Sequence, residues 1–406
     1  MSFKALARLL LPADGAPSMV VEADPRWKLG PIMTSQPSTV IWGRAPAPSG
    51  TAIPQLARMA AARERALFGV SVRPERPYRV SGVYRWRPPR LVAGHVRNRL
   101  RDTLLGGAVV ELVRDPRRPR VLDAVAAAAG HPGDVRRFTA GSGGSALVRL
   151  EDAGVHAGRI LRLAQAGQPA DPAHAADGLE RLAPLGIGVV PNLLKRGVVC
   201  GASWTIESTL PGRRPAWVTP AIALQVVTLC ARLPVAATGP TALEADLGRI
   251  AAALPEQSQE LTEAGAWAAR ILGCLPLVMR HGDLWAGNLL VAGNQLTGVV
   301  DWDNWHPAAV PGTDLLHLMT TDRALRTRRE MGEVFMGRPW RSPAFRSLSA
   351  SYWEAFELRP DSEVLDAVGV AWWASEIGHA LKLAPGQARD RRWVALNVEA
   401  ILRRLP

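Results

Sequence analysis

One stretch, residues 278–305, constrains the fold of this chain more than any other; it reads VMRHGDLWAGNLLVAGNQLTGVVDWDNW. A histidine, an aspartate and an asparagine follow an apolar run at the spacing H-x-D-x-x-x-x-N, as His281, Asp283 and Asn288. A Gly-Asn turn and a short apolar strand come next and end on Asp301. The pattern predicts one carboxylate on a loop, a second at a strand end beside it, and an amide oxygen between them. Such hard oxygen ligands suit Mg²⁺, and the remaining carboxylate can accept a proton from a hydroxyl nucleophile.

These motifs resemble a known family. The HGD triplet at His281, with Asn288 and the VVDWD segment around Asp301, resembles the aminoglycoside phosphotransferase/choline kinase family of small-molecule kinases. The motif D-L-W-x-G-N at 283–288 is also similar to the corresponding motif of the fructosamine kinases of the same superfamily. The resemblance implies that Asp283 is the catalytic base and that Asn288 and Asp301 hold Mg²⁺. It also implies that His281 stabilises the catalytic loop and that Asp314 anchors it.

A glycine-rich turn between two predicted strands precedes this stretch by about 140 residues. Strand, turn and strand is how kinase-like folds lay backbone N–H groups over nucleotide phosphates. Glycine permits the close approach and the unusual dihedral angles that this requires. We expect the turn to bind the phosphates of ATP, with GTP as the other candidate. Its residues are Gly141, Ser142, Gly143, Gly144 and Ser145.

The next predicted strand, 158–163, falls where the family carries a phosphate-binding lysine, and Arg162 takes that position. Arginine keeps the positive charge and adds a planar fork of donors, so it can bind phosphate in the same way. The family pairs this cation with a glutamate on the following helix, predicted here at 174–182, but the matching position is Ala175. The ion pair is therefore either rewired or missing.

The length of 406 residues predicts more than one domain. We expect an α+β chain in three parts: a basic α+β extension at 1–132, a small β-rich nucleotide-binding lobe at 133–212 and a larger helical lobe at 213–406. The resemblance implies that the last two form a protein-kinase-like two-lobed fold. Apolar periodicity predicts helices in the last part at 220–233, 243–254, 261–272, 313–325, 349–357, 363–383 and 392–402.

The net charge of +13 is concentrated at one end of the chain. Residues 1–140 contain 23 Lys and Arg against 10 Asp and Glu, so the rest is neutral. The excess fits an anionic partner, such as a membrane surface or a polyphosphate-bearing substrate. It fits equally well a solvated face in an arginine-rich protein. Arginines around Tyr84 and Trp86 match no recognised nucleic-acid module, so we expect no nucleic-acid partner.

Tryptophans and ionisable residues fall together in the last predicted helices, and two interpretations are open. They form either an aromatic wall for a polyol or a cationic sugar, or ordinary helix packing. The residues are Trp353, Trp372, Trp373 and Trp393, with Glu354, Glu357, Glu376 and His379. The three scattered cysteines and the absence of a membrane-length apolar run favour a cytoplasmic protein.

Together these patterns predict a Mg²⁺-dependent kinase that transfers the γ-phosphoryl group of a nucleoside triphosphate to a small hydroxylated substrate. The acceptor classes are a sugar, an aminoglycoside-like compound or an amino alcohol. The alternative is a catalytically weak pseudokinase that senses nucleotide or binds a partner. Arg162 and Ala175 favour the alternative, whereas Asp283, Asn288 and Asp301 favour catalysis. A protein kinase is disfavoured, because the segment after Asp301 is short and carries no recognisable activation loop.

Overall fold

The computed structural model describes most of the second half of the chain and separate segments of the first. The described residues are 18–22, 38–43, 79–86, 107–113, 121–130, 139–140, 145–150, 158–165, 170–236, 241–327 and 329–405. Contacts divide the chain into two compact units. One comprises Met1–Ala173 and Leu193–Thr209, and the other comprises His174–Asn192 and Leu210–Pro406.

The first unit contains a four-stranded sheet in the order β1-β2-β4-β3. β1 and β2 run parallel, and the other neighbouring pairs are antiparallel. β2 and β3 both pair with β4, which is why β4 lies between them. The strands are β1 (Ser18–Glu22), β2 (Ser38–Gly43), β3 (Arg79–Trp86) and β4 (Gly107–Val113).

Helix α1 (Val121–Ala128) and a five-stranded antiparallel sheet follow in the same unit. The sheet order is β5-β6-β7-β9-β8, so β8 is an edge strand. Burial agrees with this order, because β9 is buried along most of its length whereas β8 is largely exposed. The strands are β5 (Thr139–Ala140), β6 (Ala146–Leu150), β7 (Arg159–Gln165), β8 (Leu193–Val199) and β9 (Ala202–Ser208).

Helices dominate the second unit. Side-chain caps fix several of their starts: Thr219 accepts a hydrogen bond from the Ile222 N–H group, and Asp361 accepts from those of Glu363 and Val364. The helices along the chain after α1 are α2 (Pro172–Leu182), α3 (Pro220–Cys230), α4 (Ala242–Ala253), α5 (Ser258–Leu272), α6 (Thr313–Thr327), α7 (Met331–Met336), α8 (Pro343–Ala355), α9 (Ser362–Leu383), α10 (Arg391–Val394) and α11 (Ala400–Leu402).

Short strands of the second unit carry the stretch identified in the sequence. A three-stranded sheet has the order β10-β11-β14, and β12 and β13 form an antiparallel hairpin. The loop that carries Asp283 runs between β11 and β12, and the predicted metal-binding aspartate follows β13. The strands are β10 (Val235–Ala236), β11 (Leu277–Arg280), β12 (Leu289–Ala292), β13 (Gln295–Val299) and β14 (His306–Ala309).

Helix α9 is the centre of this unit and contacts α4, α5 and α6. Trp372 and Trp373 on α9 are among the largest fully buried side chains, and Trp353 on α8 is buried as well. The Trp373 indole N–H donates to the Asn397 carbonyl oxygen at 2.8 Å. These three tryptophans therefore pack in the core, which supports the helix-packing interpretation over the aromatic wall.

Two predicted helices differ most from the structure. The helix predicted at 349–357 begins six residues earlier, because Ser342 accepts a hydrogen bond from the Phe345 N–H group and Pro343 occupies the first turn. The helix predicted at 392–402 is interrupted by a π turn at Ala395–Glu399. In this turn the buried Asn397 side chain accepts from the Gly332 N–H group at 3.0 Å. This bond links the last segment to α7.

The predicted α+β class, with β-rich and helical parts, is confirmed by the described elements. None of the helices in the described residues is both long and apolar enough to cross a bilayer. The basic residues 95–105, whose pattern in the sequence predicts an amphipathic helix, lie outside the described residues.

Candidate active site

Asp314, in the first turn of α6, holds the loop that carries Asp283. Its carboxylate accepts hydrogen bonds from the backbone N–H groups of His281 at 2.7 Å and Gly282 at 3.0 Å. Gly282 has a φ of +80°, and a Cβ atom there would lie 2.1 Å from the Asn304 carbonyl oxygen. Only glycine fits such a position without strain. One carboxylate and one glycine thus fix the path of the loop, as the resemblance implied for Asp314.

The buried His281 ring stabilises the same loop from inside. Its Nδ1 atom accepts a hydrogen bond from the Asp283 N–H group at 3.2 Å. Nδ1 therefore carries no proton, and Nε2 must donate to the Val300 carbonyl oxygen, 3.1 Å away. The ring also packs against Trp302, with ring centroids 4.6 Å apart. His281 thus connects the loop that carries Asp283 to the end of the β12–β13 hairpin.

Asn288 contacts Asp283 through its side chain and the hairpin end through its backbone. Its Nδ2 atom donates to the Asp283 carbonyl oxygen at 2.8 Å and to Asp283 Oδ2 at 2.9 Å. Both amide hydrogens are used, so only the Oδ1 atom remains as a ligand for a cation. The Asn288 carbonyl oxygen accepts from the Val300 N–H group at 2.9 Å. Asn288 and Asp301 therefore lie at the same end of the hairpin.

Asp301 has an unusual backbone conformation, with φ 73° and ψ 58°. A non-glycine residue in this left-handed region costs about 1–3 kcal/mol, and such residues cluster at functional sites. Within the described part of the chain, no cluster of three or more His, Cys, Asp and Glu side chains is placed to hold a metal ion. The predicted ligands, one carboxylate and one amide, are oxygen donors. They fit Mg²⁺, which takes one or two protein ligands and completes its shell with phosphates and waters.

His317, on α6 one turn after Asp314, is a site residue that the sequence patterns did not indicate. Its Nε2 atom lies 3.2 Å from Asp283 Oδ1, and its Nδ1 atom is hydrogen-bonded to Glu376 Oε1 on α9. Glu376 itself was noted only as a candidate for the aromatic wall. The spacing from Asp314 is the one local signal for His317, since i and i+3 share a helix face. Its contact with Glu376 spans 59 residues and leaves no local pattern.

The electrostatics of this cluster follow from the contacts. Burial raises the pKa of Asp283, but the hydrogen bond and positive charge of His317 lower it more, to about 2. Burial lowers the pKa of His317, but the charge of Glu376 and the hydrogen bonds to both carboxylates raise it to about 10. His379, one turn after Glu376, has its pKa lowered by burial. Near neutral pH Asp283 is therefore a carboxylate and His317 an imidazolium.

In the first unit, Arg162 on β7 has a carboxylate partner in its own sheet. Its Nε atom lies 3.5 Å from Glu207 Oε1 on β9, and both side chains are largely buried. The Thr205 hydroxyl donates to the same oxygen at 3.1 Å. Ala175, at the position where the family carries the glutamate, is buried on α2. The ion pair is therefore rewired: a neighbouring strand supplies the carboxylate that the family places on a helix.

The glycine-rich turn is only partly described. Gly141, Ser142, Gly143 and Gly144 lie outside the described residues. Ser145 is buried and comes directly before β6. Its role toward phosphate stays a prediction.

The part of the chain that carries this site matches a known protein family. Residues 134–331 match the phosphotransferase enzyme family. The match covers just under half of the chain and includes His281, Asp283, Asn288, Asp301 and His317. It confirms the predicted family resemblance and the protein-kinase-like fold class. The predicted enzyme class, a phosphotransferase, is the class of this family. No curated protein sequence matches the chain significantly.

Solved structures of phosphotransferases are similar to the chain at low identity. An aminoglycoside-3'-phosphotransferase of type VIII is 19% identical, covering 61% of this chain and 97% of that one, with a TM-score of 0.42. An aminoglycoside phosphotransferase of Streptomyces rimosus, solved with ADP and streptomycin, is 17% identical, covering 58% and 93%, with a TM-score of 0.39. An ethanolamine kinase of Plasmodium vivax is 11% identical, covering 66% and 83%, with a TM-score of 0.46.

Proposed function

We propose that the protein transfers the γ-phosphoryl group of a nucleoside triphosphate to a hydroxyl group of a small molecule. The observation that carries this proposal is the environment of Asp283. The loop that carries it is anchored by Asp314, its two carboxylate oxygens are held by Asn288 and His317, and its side chain is still 23% exposed. A carboxylate that is fixed yet accessible can orient an incoming hydroxyl.

Asp283 would act mainly by positioning in this reaction. A carboxylate whose pKa is about 2 is a weak base, so proton transfer to it becomes favourable only when the hydroxyl has begun to bond to phosphorus. This order suits phosphoryl transfer, in which catalysis is mostly positioning and electrostatic stabilisation. The oxygen atoms of Asn288 and Asp301 would hold Mg²⁺. Bound there, Mg²⁺ would supply positive charge that offsets the negative charge of the phosphates.

The first unit would contribute the nucleotide phosphate contacts. We assign the phosphates to the glycine-rich turn, Gly141 to Ser145, and to Arg162. The guanidinium of Arg162 keeps a positive charge and offers N–H donors in a planar fork, a geometry that suits phosphate oxygens. ATP is the proposed donor, and GTP is compatible with the same contacts.

The acceptor proposed here is a sugar, an aminoglycoside-like compound or an amino alcohol.

A second candidate function is that of a catalytically weak pseudokinase. One observation favours it: Arg162 of β7 is paired within its own sheet, and α2 has the buried Ala175 where the family carries a glutamate. The ordered hydrogen bonds around Asp283 favour catalysis.

Three further proposals concern the chain as a whole. The nucleotide-binding lobe is assigned to 133–212 and the catalytic lobe to 213–406. Residues 1–132, with most of the excess positive charge, would form an extension that contacts an anionic partner or membrane surface. The place of action is the cytoplasm, where nucleoside triphosphates are available.

The test compares the wild type with Asp283→Asn and Glu256→Gln in a coupled assay with Mg-ATP and Mg-GTP over sugars, aminoglycosides and amino alcohols. Glu256 is exposed and lies outside the loop, so Glu256→Gln is a matched carboxyl-to-amide control. Asp283→Asn should lower kcat by roughly 10²- to 10⁴-fold. Turnover by folded Asp283→Asn at the wild-type rate would contradict the assignment. Nucleotide binding by the wild type with no accepted hydroxyl would support the pseudokinase.

A further inference from the structure

His317 is placed between two carboxylates that come from different parts of the second unit. It is 7% exposed, with Asp283 of the catalytic loop facing Nε2 and Glu376 of α9 facing Nδ1. The other ionisable groups around it are His379 on α9 and, lining the small cavity beside it, Arg280 and Asp314. The match to the phosphotransferase family assigns no role to this histidine.

The protonation state of His317 follows from the geometry. An ionised carboxylate can only accept hydrogen bonds, and a neutral imidazole has only one N–H donor. Two carboxylates facing the two ring nitrogens are both satisfied only when both nitrogens carry hydrogen, which makes the ring an imidazolium. The other arrangements require Glu376 or Asp283 to be protonated and to donate to the bare nitrogen of a neutral ring.

The imidazolium and Asn288 together fix the Asp283 carboxylate. Oδ1 faces His317 Nε2 at 3.2 Å, and Oδ2 accepts from Asn288 Nδ2 at 2.9 Å. Each oxygen keeps one further lone pair for the acceptor hydroxyl. We propose that His317, held by Glu376, is a positioning residue that orients the Asp283 carboxylate toward the acceptor hydroxyl. This inference rests on the proposed phosphoryl transfer.

His317 keeps both of its hydrogens throughout the reaction. The acceptor oxygen forms a bond to the γ-phosphorus, the bond from that phosphorus to the leaving diphosphate oxygen breaks, and the acceptor proton passes to Asp283. His317 thus contributes a positive charge and a hydrogen bond of fixed direction, and neither changes during the reaction. Misplacement of a catalytic group by about 1 Å can cost on the order of 100-fold in rate.

Two amide variants separate positioning from packing, because their N–H groups end at different points. The amide nitrogen of His317→Gln lies near the former Nε2 and can still donate to Asp283. The amide nitrogen of His317→Asn lies near the former Nδ1 and can reach only Glu376. We expect kcat to fall roughly tenfold in His317→Gln and about 100-fold in His317→Asn. The KM for nucleotide should stay unchanged in both.

Glu376→Gln tests the contact between Glu376 and the Nδ1 atom of His317. We expect kcat to fall about tenfold, since the amide supports an imidazolium less well than a carboxylate does. Glu363→Gln, on the exposed first turn of the same helix, is the matched control and should turn over like the wild type. Equal kcat losses in His317→Gln and His317→Asn, or wild-type turnover in all three site variants, would overturn the proposal.

A second measurement needs no turnover. Long-range ¹H–¹⁵N NMR of the histidine rings in the wild type should show both nitrogens of His317 protonated at pH 8, and Glu376→Gln should show a neutral ring at that pH. A neutral His317 in the wild type would overturn the inference whatever the activity. If the wild type phosphorylates no acceptor, the proposed function fails, and the NMR result alone decides whether Glu376 holds His317 as an imidazolium.

Discussion

At the residue scale, Asp301 and Asn288 offer a cation different amounts of charge. A carboxylate contributes a full charge to Mg²⁺, whereas an amide contributes only a dipole. We expect Asp301→Asn to weaken Mg-ATP binding at least tenfold and Asn288→Ala to weaken it less. Because Asn288 also donates to both the backbone and the side chain of Asp283, Asn288→Ala should lower kcat beyond its effect on binding.

Calorimetric titration of ATP with and without Mg²⁺ checks this order, with Glu256→Gln as control. Equal ATP affinity in the two conditions for the wild type would argue against a Mg²⁺ site at the end of the hairpin. Unchanged affinity in Asp301→Asn would remove Asp301 from it.

The rewired ion pair gives a second prediction at this scale. If Arg162 binds phosphate, Arg162→Ala should weaken nucleotide binding on the order of tenfold, and Arg162→Lys should retain part of it through its charge. If the pair with Glu207 only supports the sheet, both variants should lower the melting temperature and leave the nucleotide Kd unchanged. Isothermal titration and thermal unfolding of the same samples separate these outcomes.

At the element scale, two helix glycines form a matched pair. A Cβ atom at Gly248 in α4 would meet nothing within 4 Å, whereas one at Gly265 in α5 would lie 2.8 Å from the Leu247 Cδ1 atom. Alanine is favoured over glycine in a helix by about 1 kcal/mol. Gly248→Ala should therefore raise the free energy of unfolding by about that amount in urea denaturation. Gly265→Ala should raise the free energy of unfolding by less, or lower it. A larger increase in Gly265→Ala than in Gly248→Ala would contradict the contact between Gly265 and Leu247.

Features that depend on neighbouring residues could be predicted from the sequence, whereas contacts between distant helices and strands could not. The spacing H-x-D-x-x-x-x-N is local, so the loop and the hairpin that carries Asp301 could be located in advance. His317 and Glu376 meet through the packing of α6 against α9, and Arg162 meets Glu207 through strand register. Such contacts depend on long-range pairing that no periodicity reveals. The start of α8 had a local signal, Ser342 followed by Pro343, that the periodicity of its apolar residues hid.

At the scale of the whole molecule, the charged cluster links stability to pH. The pKa of His317 is raised from 6.5 to about 10 in the folded protein, so its contribution is complete below pH 6.5 and is lost as the pH rises through 10. Between these values the free energy of unfolding should fall by about 1.4 kcal/mol for each pH unit from this group alone. Denaturant unfolding of the wild type and His317→Gln from pH 6 to 10 measures the difference.

The fall in the free energy of unfolding between pH 6.5 and 10 should be steeper in the wild type than in His317→Gln, because only the wild type carries the His317 imidazolium. Asp283 acts in the opposite direction: its pKa is lowered to about 2, so its contribution is present above pH 4 and is lost as the pH falls toward 2. Identical pH profiles for the two proteins above pH 6.5 would show that His317 is not charged in the folded state.

The hydrogen bonds on both sides of Asp283 have a regiochemical consequence. Rotation of the carboxylate about its Cβ–Cγ bond would break the contacts to Asn288 and His317, so the open lone pairs point in set directions. Neighbouring hydroxyls on a polyol ring differ little in acidity but differ in the direction of their O–H bonds. A base that cannot turn would therefore select among them by angle of approach, and one ring position of the acceptor would carry the phosphate in the product.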